Sequence, residues 1–138
     1  MHKFIKNGFT LIELLVVIAI ISIITSVGVA NLITAQKQAR DSARREILGN
    51  AQAAFEQHYA STGAYPVGDS EIASTFDNGN TPTDPKEADD YVITWNSTTS
   101  EYCVCAKLES SSGNADMSTL TSCNWNEGGE YYCIQNKQ

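Results

Sequence analysis

The stretch that decides the reading is Gly8-Phe9-Thr10-Leu11-Ile12-Glu13, followed by LLVVIAIISIITSVGV over residues 14–29. Beyond Glu13 the run holds no charge and no proline as far as Ala30. Phe9 to Ala30 is 22 residues; at the helical rise that is ~33 Å, enough to cross a hydrocarbon core of ~30 Å. Glu13 is out of place in an ordinary anchor, because a carboxylate at bilayer depth costs roughly 2.5–3.5 kcal/mol. It therefore needs a partner or a task. Its partner would be a cation, in the same chain or in a neighbour, and such a polar pair sets register between apolar helices that gain little from hydrophobicity inside lipid. A glutamate in the first turn also suits the positive end of the helix dipole.

These six residues, on a membrane-length apolar run, resemble the processing site of type IV prepilins and of the related pseudopilins of type II secretion. The resemblance implies a leader, residues 1–8, cut between Gly8 and Phe9 by a prepilin peptidase that also N-methylates Phe9, with Glu13 guiding subunit assembly. It implies an α+β type IV pilin fold: a transmembrane and assembly helix over 9–30, an amphipathic continuation over 31–62, an αβ-loop over 63–90, and an antiparallel β-sheet with a disulfide-stapled C-terminal region over 91–138. The implied partners are other copies of the chain and other pilins, the peptidase/N-methyltransferase, an inner-membrane assembly platform and motor, and the membrane itself before assembly. The implied location is the bacterial inner membrane, C-terminal domain outside the cytoplasm, and then a cell-surface filament or a periplasm-spanning pseudopilus. In one place the chain departs from many pilins: they carry proline where Ala30 stands here, before Asn31-Leu32. Alanine is a good helix former where proline costs ~3 kcal/mol, so a single continuous helix from Phe9 to about Ala60 is expected.

At 138 residues the chain has room for one membrane segment and one small domain. Loss of the leader removes Lys3 and Lys6 and takes the formal charge from −7 to −9. So acidic a domain does not suit a nucleic-acid partner, which needs a basic surface. A secretory signal peptide has a shorter apolar core and a cut after it; here the run is longer. Lys3 and Lys6 flank one end of the run and Lys37, Arg40, Arg44 and Arg45 lie beyond the other, so charge alone leaves orientation open. The family resemblance places the N-terminus inside.

The helix pattern continues past Ala30, with Ala35, Ala39, Ala43, Ile47, Ala51, Phe55 and Tyr59 recurring near one face. Lys37, Arg40, Arg44 and Arg45 read as its solvated face, with Asp41 and Glu46 as helical-spacing partners. Ser61-Thr62-Gly63 and Pro66 signal the stop. Residues 67–90 read as a loop rich in Gly, Pro, Asn, Asp, Ser and Thr. Strands are predicted at 91–96, 101–108 and 130–135, with an irregular segment at 119–125.

All four cysteines, Cys103, Cys105, Cys123 and Cys133, lie in this last part. An even number in a small exported domain points to two disulfides. The spacing lacks the paired C-x₂-C of zinc knuckles, so no metal is expected. Cys103 and Cys105 sit two apart on one strand, on one face, and do not bond each other in that geometry. Two pairings stay open: 103–123 with 105–133, or 103–133 with 105–123.

No catalytic set is apparent. His2 leaves with the leader; His58 stands alone on the helix and reads as a packing or surface residue, and no nucleophile elbow or phosphate loop occurs. Trp95 and Trp125 read as core. The acidic loop with Asp84, Glu87, Asp89 and Asp90 could hold calcium, as some pseudopilins do in their C-terminal loops, but it lacks a regular ligand spacing; no cofactor is expected, with calcium as the alternative. The chain is thus expected to be no enzyme but a structural subunit of a type IV pilus or related filament. The alternatives are a pseudopilin of a secretion or DNA-uptake machine, and a membrane-anchored pilin-like adhesin or receptor that does not polymerise.

Overall fold

A computed structural model of the chain describes residues 8–86, 91–110, 112–116 and 123–136, with the backbone alone at 27–30. Its elements are helix α1 (Leu11–Thr62), helix α2 (Asp69–Ser74), and strands β1 (Ile93–Ser97), β2 (Tyr102–Lys107) and β3 (Tyr131–Gln135). The chain divides into two units, 1–36 and 37–138.

In the first unit, α1 runs unbroken through 27–30, in line with an alanine rather than a proline at residue 30. Its apolar side chains face outward: Leu14, Ile18, Ile21 and Ile24 are 62, 55, 53 and 67% exposed. By length and composition the helix is able to cross a membrane. Ser22, Thr25 and Ser26 return their hydroxyls to the backbone, donating to the carbonyls of Ile18, Ile21 and Ile23 at 2.7–2.9 Å. Such bonds keep polar groups satisfied inside an apolar run.

In the second unit, α1 lies on a three-stranded antiparallel meander of order β1-β2-β3. Strand β2 is central and buried on both sides, and its residues divide by period two. Tyr102, Val104 and Ala106 face one core with Leu48, Ala51 and Phe55 of α1, Tyr65, Ile72 of α2, Ile93 and Ile134. Cys103 and Cys105 face a second, smaller core with Ala115 and Cys133. In the first core Phe55 meets Tyr102 edge-on at 5.0 Å, and Tyr65 meets Tyr102 likewise at 4.9 Å. Glu56 accepts from both tyrosine hydroxyls, at 3.2 Å from Tyr65 and 3.1 Å from Tyr102. Burial, reinforced by that carboxylate, pushes both phenols up. The helix stops at Gly63, whose φ of 80° is a left-handed cap and whose N–H donates to Tyr59 O at 2.8 Å.

Four expectations need correction. The buried side of α1 is Asp41, Arg44, Leu48, Ala51 and Phe55; of the row Ala35, Ala39, Ala43, Ile47, Ala51, Phe55 and Tyr59, its later members Ile47 to Tyr59 reach the core, whereas Ala35 and Ala39 are exposed. A strict four-residue step exceeds the 3.6-residue turn and drifts round the helix; alternation of three and four holds one face. Arg44 accordingly is not part of a solvated face but is wholly buried. The 67–90 segment is not all loop, because α2 forms there and Ile72 packs into the core; residues 87–90 lie outside the described residues. The irregular segment at 119–125 lies outside them up to residue 122, while Trp125 pairs with Ala115 in an isolated bridge and is 47% exposed rather than core.

Loop 113–116 runs along the outer side of β3. The N–H groups of Asn114 and Ala115 donate to Tyr131 O, and Tyr131 N–H donates to Ala115 O. The Asn114 side chain then continues the ladder: Nδ2 donates to Cys133 O at 2.9 Å and Oδ1 accepts from Cys133 N–H at 2.7 Å. This packing leaves no room for a side chain at two glycines. A Cβ on Gly113 would lie 1.9 Å from Tyr131 O, and one on Gly129 2.2 Å from Ala115 O.

Candidate functional site

Gly8 and Phe9 precede α1 and are exposed, Phe9 to 88%. Thr10 caps the helix and Glu13 occupies its first turn. The two side chains interlock. Thr10 N–H donates to Glu13 Oε2 at 2.8 Å, Thr10 Oγ1 donates to the same oxygen at 2.9 Å, and Glu13 N–H donates back to Thr10 Oγ1 at 3.3 Å. This is a capping box, in which two N–H groups without helical partners are satisfied reciprocally. The Thr-x-x-Glu spacing before an apolar run signals it in the sequence. The glutamate therefore has a local partner as well as an open oxygen: among the described residues Oε1 takes no hydrogen bond.

The cysteines pair as Cys103–Cys123 and Cys105–Cys133. Strand register explains the second bond. Cys105 and Cys133 are direct partners in the β2–β3 ladder, and the Cys133 N–H and C=O are taken by Asn114 rather than by β2. Such non-hydrogen-bonded antiparallel pairs bring Cα atoms to ~4.5 Å, and here they are 4.1 Å apart. Cys103, next along the same face of β2, is left for Cys123.

Sequence reasoning missed a buried ionic cluster in the second unit. Arg44 donates through Nε and Nη2 to the two oxygens of Asp84 at 2.6 and 2.8 Å, and through Nη1 to Asp41 at 2.7 Å and Glu109 at 3.2 Å. Arg40 forks onto Glu109 at 2.6 and 2.8 Å. Asp41 also accepts the N–H groups of Glu109 and Ser110 and the Ser110 hydroxyl. Tyr91 presents its ring to both Arg44, at 4.7 Å, and Lys86, at 4.1 Å. Burial works against the Arg44 charge, but its carboxylate partners outweigh it and hold the guanidinium pKa above its usual value. The Arg40 hydrogen bonds draw Glu109 down to about 2. Burial opposes ionised Asp41, yet Ser110, the Glu109 amide and Arg44 keep its pKa low. The cluster ties α1 to residues 84 and 109–110; it is structural, and no catalytic geometry appears in it. Asp84, grouped with a calcium loop on sequence, spends both oxygens on Arg44; Glu87, Asp89 and Asp90 lie outside the described residues. His58 faces Ala64 O through Nδ1 at 3.0 Å and lies 3.6 Å from Glu71 through Nε2, at the end of α1. Trp95 packs on the aromatic core.

Residues 4–29 match the prokaryotic N-terminal methylation motif. Over 59 residues, 43% of this chain and 45% of the relative, the chain is 42% identical to the type IV wide pilus major component PilA4 of Thermus thermophilus. It thus spans less than half the length of that relative. No solved structure matches the chain. The methylation motif, the pilin relative and a long apolar helix with an antiparallel disulfide-bonded sheet together support the type IV pilin family for this chain.

Proposed function

We propose that the chain is a structural, non-enzymatic subunit of a type IV pilus or closely related filament. The observation that supports this reading is the Thr10–Glu13 capping box at the head of an outward-facing apolar helix, within the stretch that matches the methylation motif. The precursor waits in the inner membrane, its C-terminal domain on the far side from the cytoplasm. A prepilin peptidase cuts between Gly8 and Phe9 and the new N-terminus is methylated. The amine at Phe9 then meets the open oxygen of Glu13 on a neighbouring subunit, fixing the register of two helices. On extraction each helix leaves its lipid surroundings, and burial of helix against helix takes their place, with the assembly platform and motor supplying the work.

Mass spectrometry of filaments sheared from the source cell tests this. The expected subunit begins at N-methylated Phe9, and Glu13→Ala is processed normally but yields few filaments. A mature subunit beginning elsewhere, or wild-type filament yield from Glu13→Ala, overturns the reading. Filament length separates a pilus from a short secretion pseudopilus.

A further inference from the structure

We propose that the four cysteines, once reduced, form a tetrahedral thiolate site for a soft divalent cation, zinc above all. All four Sγ atoms lie within 4.8 Å of one another. The sulfurs of Cys103 and Cys105, which belong to different disulfides, are 3.5 Å apart. Zinc–sulfur bonds of about 2.3 Å at tetrahedral angles set sulfurs about 3.8 Å apart, a spacing inside the span this set covers.

The absence of C-x₂-C knuckles argues against zinc only if sequence spacing must create the juxtaposition. Here the sheet places three of the four. Cys103 and Cys105 share a face of β2, Cys133 stands opposite Cys105 in the ladder, and Cys123 closes the group from the loop before β3. The positions do not depend on the sulfur–sulfur bonds alone. Backbone pairing holds Cys103, Cys105 and Cys133, and the two Asn114 hydrogen bonds brace Cys133. Three of the cysteines are buried and Cys123 is partly open, which gives a closed donor set with one side for entry. An all-thiolate set selects zinc or a similarly soft ion over calcium or magnesium. The chemistry balances. Each disulfide takes two electrons and two protons from a dithiol or phosphine reductant, yielding four thiols, and one divalent cation bound as four thiolates releases four protons. Oxidation then expels the metal, so the disulfide-bonded chain and the metal-bound chain exclude one another.

The full chain in detergent, reduced with a phosphine under argon and titrated with Co²⁺ and then Zn²⁺, tests this independently of filament assembly. The expected result is one Co²⁺ per chain with the absorption of a tetrahedral cobalt thiolate, its displacement by Zn²⁺, and no such band from the oxidised chain. Cys123→Ser and Cys133→Ser should each lose the tetrahedral thiolate band, and Zn²⁺ should raise the melting temperature of the reduced wild-type chain. No band from the reduced wild-type chain, an octahedral spectrum, or the same binding after oxidation overturns the proposal without reliance on any variant.

Discussion

Arg44 and Asp84 meet fork to fork, with Nε 2.6 Å from Oδ2 and Nη2 2.8 Å from Oδ1, and with 0% and 2% of their side chains exposed. The bond joins α1 to a residue 40 positions later, so it closes a long loop around a buried charge. Removing one partner leaves the other buried and unpaired, which costs about 3–5 kcal/mol. Arg44→Met is therefore expected to lower the unfolding midpoint sharply in guanidinium melts of the detergent-solubilised chain. Asp84→Ala added to Arg44→Met should cost much less than Asp84→Ala alone. Additive losses would show that the two residues do not act as a pair.

Glu109 gives the cluster an acid limit. Its carboxyl titrates at about 2 when folded, against 4.5 ordinarily, through the Arg40 and then the Arg44 hydrogen bonds. A depressed folded value means the contribution is complete above the ordinary value and fades as pH falls through the folded one. Stability should decline between pH 4.5 and 2, and Glu109→Gln should lose stability at neutral pH while showing a shallower decline across that window. Identical slopes in wild type and variant would remove Glu109 from the acid response.

For the disulfides, non-reducing peptide mapping of the oxidised chain should recover Cys103 with Cys123 and Cys105 with Cys133, and no free thiol. Replacing either pair by alanines should cost about 3–4 kcal/mol, as expected for loops of this length. A Cys103–Cys133 peptide would contradict the β2–β3 register.

Two kinds of glycine should respond in opposite ways. Gly113→Ala and Gly129→Ala drive a methyl into the backbone of Tyr131 and Ala115, and each should destabilise by about 1–3 kcal/mol or more. Gly49 sits exposed within α1 with nothing near its Cβ position; Gly49→Ala should stabilise by up to ~1 kcal/mol. Thermal melts of the three variants side by side decide it.

What the sequence reveals and what it hides follows from the range of the interactions. The continuous helix, its Gly63 stop and the three strands are set by local periodicity and turn chemistry, and they appear within a residue or two of where those signals fall. The Thr10–Glu13 box is equally local. Arg44 and Leu48 are different. Whether Arg44 faces water depends on Asp84 and Glu109, 40 and 65 residues away, and no pattern within α1 encodes them. The disulfide pairing is hidden for a related reason: both open pairings satisfy the strand geometry, and only the β2–β3 register, with Cys105 opposite Cys133, chooses between them.

The strip formed by Asn114 and Ala115 along β3 has a consequence for solubility. An open sheet edge offers unpaired N–H and C=O groups to any passing strand and is a template for disordered lateral growth. On β3 those groups are already engaged: Tyr131 by Asn114 and Ala115, Cys133 by the Asn114 amide, and the Gln135 carbonyl by Gln52 Nε2 at 2.9 Å. With these groups taken, the β3 edge offers little to a neighbouring strand. The Asn114 side chain, standing in for a residue of a fourth strand, takes the Cys133 part of it.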